Sequence, residues 1–158
     1  MKSKNESIFR VILAREHLQD ARFELNARRY PKCVQSAQLS IENSAKSLVE
    51  AFGISSQEHD VRELGQILKE KEDELIKKVD IAPLSKVYEL AVHYTPDHIK
   101  TVYGDEKRMI PPSGLYDYHY AVEISRDAEF AYKTALGFLE SFYDEKINLD
   151  EWKERLKE

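Results

Sequence analysis

The chain has 158 residues, of which 34% are charged and 42% hydrophobic; this size and balance suit one globular domain and exclude global disorder. Its net charge of −5 excludes a general attraction to polyphosphate backbones, so a nucleic-acid site would have to be a local patch. The charged first residues lead into no apolar core segment, and no apolar run is long enough to span a bilayer. We therefore expect a cytoplasmic protein that is neither secreted nor inserted in a membrane.

Two long helices are predicted at the start of the chain. Apolar residues recur at alternating steps of four and three from Ser7 to about Arg29, which is typical of a helix with one buried stripe. A second helix should begin at Pro31, because proline fits the first turn of a helix, and end at Gly53, which can adopt a left-handed backbone. The link between the two is short, so they should pack antiparallel. Cys33 is the only cysteine, which excludes an internal disulfide, and its apolar surroundings predict a buried small side chain.

The middle of the chain is less regular. Helical spacing resumes from Val61 to Leu75 among many charged residues, which predicts a third helix that is more exposed than the first two. Asp80 to Pro83 indicates a turn, and Leu84 to Val92 a shorter fourth helix. Residues 96–114 have little periodicity and contain Pro111 and Pro112, so we expect a long loop that is functional or mobile.

The last long helix is predicted from Ala121 to Phe142, where the four-three spacing persists through six intervals. Residues 148–158 can form a short amphipathic helix that packs on the bundle or on a partner. Together these elements predict an all-α fold, an antiparallel up-and-down bundle of about five long helices with a short C-terminal helix. We assign residues 1–146 to the bundle and residues 147–158 to a C-terminal amphipathic extension.

The usual motifs for phosphate loops and zinc sites are absent: there is no glycine-rich loop, no Cys-x-x-Cys and no His-Glu-x-x-His, so no cofactor or metal is expected. Residues 93–120, however, contain five of the nine tyrosines, three of the five histidines, and Lys100, Lys107 and Arg108. Rings that stack on bases and cations that meet phosphates are the combination used by single-stranded nucleic-acid binders. The alternative is that these tyrosines cover the end of the bundle with their hydroxyl groups in water.

Two further pairs of residues are weaker candidates for a site. His93 and His98 are five residues apart, which suits a metal pair poorly, and histidines without a positioned partner are more often surface residues than acid–base groups. Glu42 and Lys46 lie four residues apart in the order that favours a helix ion pair. Such a pair is normally a solvated surface feature.

Three stretches of the chain occur in a characteristic order. Residues 29–53 run from an aromatic start through alanine, glutamine, Glu42 and Lys46 to a closing glycine. His59–Leu64 begins with His-Asp and a hydrophobic residue, and residues 94–116 contain Tyr-Thr-Pro, Val-Tyr-Gly-Asp, two prolines and a tyrosine. In this order they resemble the second helix, the start of the third, and the stretch before the last long helix of the HEPN domain family of prokaryotic helical bundles. The resemblance covers roughly residues 7–143.

That resemblance implies a bundle that commonly dimerises, often beside a minimal nucleotidyltransferase partner in toxin–antitoxin-like pairs. Many branches of the family cleave RNA without a metal through an Arg-x4-6-His motif. In this chain only Arg10 to His17 has that pattern, on the first helix rather than late in the domain, and Val102 stands where the family has its arginine. His93 and His98 have the spacing but lack the arginine. Catalysis is therefore not expected.

Three functions follow from these observations. The first is a HEPN-like nucleotide- or RNA-associated binding protein, dimeric, paired with a nucleotidyltransferase-type partner in a toxin–antitoxin-like module, and not itself catalytic. The second is a metal-independent endoribonuclease toxin with a degenerate active site, in which His93 or His98 is the general base and Lys100 or Arg108 stabilises the phosphorane charge. The third is a structural scaffold that docks through the first and last long helices or the Trp152 segment. The candidate nucleotide- or RNA-binding residues of the first function are Glu42, Lys46, Tyr94, Lys100, Tyr103, Lys107 and Arg108.

Overall fold

The structure is a computed structural model that describes residues 2–57, 60–75 and 80–158, so that His59 lies outside the described residues. Within these ranges the chain is helical and has no strand, only an isolated bridge between Asp105 and Ile110. The predicted all-α bundle is confirmed. The helices are α1 (Lys2–Asn26), α2 (Tyr30–Glu50), α3 (Val61–Glu70), α4 (Glu72–Leu75), α5 (Ile81–Tyr94), α6 (Asp97–Tyr103), α7 (Tyr118–Tyr143) and α8 (Leu149–Arg155), with a 3-10 turn at Pro112–Gly114.

The first two helices form a closely packed antiparallel pair. Pro31 lies in the first turn of α2, where a backbone N–H is not needed, and Arg28 adopts a left-handed backbone in the link, with φ of 60°. Ser40 sits between the helices and donates a 2.8 Å hydrogen bond to the carbonyl oxygen of Ala14. Gly53 follows α2 with φ of 81°, which confirms the predicted end of that helix.

The last long helix, α7, packs against α2 through small side chains. Cys33 is fully buried with its sulfur 3.2 Å from the hydroxyl oxygen of Ser125, and burial raises the pKa of its thiol, as expected for a structural cysteine. At the other end of the interface, Phe52 contacts the ring of Phe142 at 5.2 Å. The close approach of α7 is possible because alanines occupy its buried face: Ala121, Ala128, Ala131 and Ala135.

Two predicted non-helical stretches are helical in the structure. α5 begins at Ile81 rather than at Leu84, because Asp80 caps it by accepting a 3.2 Å bond from the backbone N–H of Ala82 and Pro83 fits its first turn. The predicted loop of residues 96–114 is also wrong in part. It contains α6, then a tight loop from 105 to 110, and the 3-10 turn.

The C-terminal helix packs on α1. Leu149 and Trp152 are buried against the common core. Ion pairs fasten the two helices: Arg15 lies 2.8 Å from Asp150, and Lys153 lies 2.9 Å from Glu16. No helix in the described part of the chain has both the length and the apolar character needed to cross a membrane.

Candidate functional site

A buried carboxylate fastens α6 to the start of α7. Asp97, only 6% exposed, accepts a 2.6 Å hydrogen bond from the hydroxyl of Tyr116 on one oxygen and a bond from the hydroxyl of Tyr120 on the other. Burial first, and then the bond to Asp97, raises the pKa of both phenols, so they remain protonated donors at neutral pH. We call Asp97, Tyr116 and Tyr120 the Asp97 clamp. It gives α6 a fixed position on the bundle.

Tyr94 supports this arrangement from the end of α5. Its ring is 2% exposed and meets the ring of Tyr120 edge-on at 6.2 Å, and its hydroxyl donates a 2.5 Å hydrogen bond to Asp127. Burial, followed by the bond to Asp127, raises the pKa of this phenol as well. The ring is therefore inaccessible to a ligand, and Tyr94 is a packing residue rather than the stacking surface expected from the sequence.

The remaining aromatic and cationic candidates form an exposed surface on α6 and the loop that follows. Tyr103 is 65% exposed, and within the described ranges none of the four side chains has a hydrogen-bond or ion-pair partner. The loop is rigid, since Asp105 and Ile110 exchange two backbone hydrogen bonds, and an added Cβ at Gly104 would lie 2.2 Å from the carbonyl oxygen of Ile110. We call this the α6 surface. Its residues are Lys100, Tyr103, Lys107 and Arg108.

Apolar side chains that the sequence reasoning missed lie in the same region. Ile99 and Val102 are exposed on α6, and Met109 is 87% exposed in the following loop. With Tyr103, the two α6 residues occupy positions i, i+3 and i+4, which is one face of a helix. That spacing was the available sequence signal, but it covers too few residues to be distinguished from chance.

The structure does not bring His93 and His98 together. His98 on α6 has its Nδ1 3.3 Å from the side-chain oxygen of the buried Gln38 on α2. His93 is exposed near the end of α5, where its ring meets that of Tyr94 edge-on at 4.7 Å. No group of three or more histidine, cysteine or acidic side chains among the described residues could hold a metal ion.

Glu42 and Lys46 form an ion pair on α2, with their charged atoms 3.7 Å apart and both side chains partly buried. Gln38, which contacts His98, lies one helical turn before Glu42, so the pair continues the stripe of α2 that faces α6. The cations of the α6 surface have no ion-pair partner among the described residues, whereas Lys46 is already compensated. Lys46 would therefore contribute less to binding an anion.

This arrangement can bind phosphates and stack a base, but it lacks the combination that RNA cleavage requires. Among the described contacts, neither histidine has an arginine beside it to stabilise a pentacovalent phosphate. The site is thus a rigid, exposed, cationic and aromatic surface at one end of an all-α bundle.

The family follows from comparison with known proteins. The model of the HEPN domain matches residues 11–147, which is most of the chain, and the protein belongs to the HEPN domain family. At the level of the family this supports a nucleotide- or RNA-related function. No curated protein matches the chain.

Proposed function

We propose that this HEPN protein binds nucleotides or RNA through the α6 surface, as a homodimer beside a nucleotidyltransferase-type partner in a toxin–antitoxin-like module, and without catalysis of its own. The observation that carries the proposal is the exposure of Lys100, Tyr103, Lys107 and Arg108 with no side-chain partner among the described residues. The partner and the module rest on the family resemblance.

The physical chemistry of this surface favours a polyanionic ligand that carries bases. Cations without an ion-pair partner among the described residues need not break an ion pair to meet a phosphate, and each phosphate they neutralise releases counterions from the nucleic acid. The ring of Tyr103 can stack on a base, which contributes about 1–3 kcal/mol in single-strand binders. Because the Asp97 clamp holds α6 in place, little ordering entropy is lost on binding.

A binding role is favoured over the degenerate endoribonuclease by two observations. Val102 occupies the position of the family's arginine, and its side chain is apolar and exposed. His98 contacts the neutral amide of Gln38, which orients the ring but cannot stabilise a positive charge as a carboxylate would. A general base without a fixed cation contributes little to phosphoryl transfer.

Association with a second subunit is supported by the apolar side chains beside the α6 surface. Ile99, Val102 and Met109 are all more than half exposed, and exposed apolar groups in one place are typical of protein–protein contacts. A homodimer through this region would bring two α6 surfaces close together. Light scattering gives the oligomeric state directly; a strict monomer that recruits no partner would contradict this part of the proposal.

Fluorescence anisotropy with labelled single-stranded RNA, with nucleotides as competitors, tests the binding itself. The triple variant Lys100→Ala/Lys107→Ala/Arg108→Ala should weaken RNA binding and flatten its salt dependence by about two counterions, at roughly 0.7 for each phosphate that is no longer neutralised. The matched control is Arg62→Ala/Lys69→Ala/Lys146→Ala, which removes three cations that are exposed and unpaired among the described residues elsewhere on the surface. The proposal fails if neither the protein alone nor its complex binds saturably, or if both triple variants lose affinity equally.

A further inference from the structure

A groove separate from the α6 surface lies between α3 and α5 on the outside of the bundle. Its volume is about 600 Å³, and its walls are described residues of both helices. Gly65 faces Tyr88 across it, with an added Cβ at Gly65 placed 3.7 Å from the Tyr88 Cβ. From Val61 to Glu72 the α3 side of the groove spans about 16 Å at the helical rise of 1.5 Å per residue.

The groove has an apolar floor and charged rims. Val61, Leu68, Tyr88 and Val92 form much of the floor. The α3 rim is basic, with Arg62 and Lys69, and the α5 rim carries Glu89 and, at its end, His93. His93, a candidate catalytic base from the sequence, therefore lines this groove.

Gly65 is the observation that points to an occupant. Glycine destabilises the interior of a helix, and Gly65 lies in the middle of α3 with an ordinary negative φ. An alanine methyl group there would make only a normal van der Waals contact with Tyr88. The folded chain by itself thus has no steric need for glycine here, whereas a backbone that approaches α3 closely would need it.

The dimensions of the groove indicate what that occupant is. A volume of about 600 Å³ over about 16 Å corresponds to a mean cross-section of about 40 Å², roughly half that of a helix about 10 Å in diameter. A helix of three turns would sink to half its thickness and keep its polar face in water. An unbranched hydrocarbon chain would leave much of this width unfilled.

We propose that the α3–α5 groove binds an amphipathic helix of about three turns from a partner protein, with acidic residues along the edge facing α3 and a basic edge facing Glu89. Arg62 and Lys69 have no ion-pair partner among the described residues, so the α3 rim is available to carboxylates. Glu89 already lies 3.9 Å from Lys86, but both side chains are exposed and the pair is readily exchanged. These rim charges set the orientation of the helix, while the apolar floor supplies most of the affinity.

The test uses the full-length protein and synthetic peptides. The probe is a 14-residue helical peptide with apolar residues at i, i+3, i+4, i+7 and i+11, glutamates on one edge and lysines on the other. A second peptide has the two charged edges exchanged. Calorimetry should show saturable binding of the first peptide and about tenfold weaker binding of the second, because the rims then face like charges.

Two glycine-to-alanine variants separate helix stability from binding. Gly65→Ala should raise Tm by about 3 °C through the greater helix propensity of alanine, and should weaken peptide binding about tenfold by keeping the two backbones apart. Gly137→Ala is the matched control, since Gly137 lies within α7 and an added Cβ would meet nothing within 4 Å. It should raise Tm similarly and leave peptide binding unchanged.

Several results would overturn the helix-binding groove. They are no binding of either peptide at millimolar concentration, equal affinity for both peptides, full affinity in Gly65→Ala, or a fatty acid that fills the groove and is not displaced by the peptide. RNA binding should be unchanged in Gly65→Ala, and peptide binding should be unchanged in the α6-surface triple variant. The two sites can thus succeed or fail independently.

Discussion

Arg10 is the most heavily hydrogen-bonded side chain of α1, and its partners explain why Arg10–His17 is not a nuclease motif. Its Nε lies 3.1 and 3.3 Å from the two carboxylate oxygens of Glu50, and its other nitrogens donate to Asn43 and Ser56. The hydroxyl of Ser56 in turn donates to Glu50. The guanidinium group is thus used to join α1 to α2 and the segment after it, which supports reading the sequence match as chance.

Replacing Arg10 should be costly because Glu50 is only 5% exposed. Arg10→Met leaves that carboxylate buried without its cation, and we expect the free energy of unfolding to fall by about 3–5 kcal/mol in urea titrations. The double variant Arg10→Met/Glu50→Leu should recover most of the loss, since no buried charge remains. Lys153→Ala, which removes an exposed ion pair with Glu16, serves as the control and should cost less than about 1 kcal/mol. A single-variant loss as small as the control's would show that water compensates Glu50.

The Asp97 clamp could not be predicted from the sequence, although all its residues lie in the segment singled out there. The partners of Asp97 are 19 and 23 residues later in the chain, and no local pattern says which tyrosines turn inward. The sequence correctly marked the segment as unusual but offered two uses for its rings. The structure divides them: Tyr94, Tyr116 and Tyr120 serve packing, and Tyr103 is exposed.

At the scale of elements, length decides what periodicity can detect. The stripes of α1, α2 and α7 extend over 21 to 26 residues, so these helices could be predicted with their packing faces. α6 has seven residues, fewer than two full turns, and α5 gains its first turn from the Asp80 cap rather than from apolar spacing. Short helices of this kind are stabilised by tertiary contacts, which a single sequence does not contain.

The clamp should therefore control the order of α6. Asp97→Ala leaves the buried hydroxyls of Tyr116 and Tyr120 without their acceptor, and unpaired buried groups cost about 1–3 kcal/mol each. We expect amide hydrogen exchange in residues 97–103 to accelerate by about tenfold or more, and RNA affinity at the α6 surface to fall with it.

Two controls separate order from charge in that experiment. Lys100→Ala should weaken RNA binding without changing exchange in α6, because it removes a phosphate-binding cation and no buried bond. Asp60→Ala removes a comparable carboxylate at the start of α3, where it accepts a bond from the Glu63 backbone, and should accelerate exchange in α3 alone. Unchanged protection of residues 97–103 in Asp97→Ala would mean that apolar packing alone holds α6.

At the scale of the whole molecule, α1 connects the two ends of the chain. Its first turns lie beside the end of α7, where Lys4 is 2.6 Å from Glu145, and its middle carries the ion pairs to α8. The sequence left open whether residues 147–158 pack on the bundle or on a partner, because an amphipathic segment of this length suits either. Burial of Leu149 and Trp152 in the common core favours the bundle and predicts that the extension unfolds with it.

The single tryptophan makes that prediction measurable, because Trp152 fluorescence reports on α8 alone whereas far-ultraviolet circular dichroism reports on all the helices. If α8 belongs to the same cooperative unit, both signals should follow one urea transition with the same midpoint and slope. Trp152→Ala should lower the free energy of unfolding by about 3 kcal/mol, because it empties a site in the shared core, while Lys157→Ala at the exposed end should change it little. A fluorescence transition at lower urea than the loss of helix would instead make residues 147–158 a separable extension, free to undock toward a partner while the bundle stays folded.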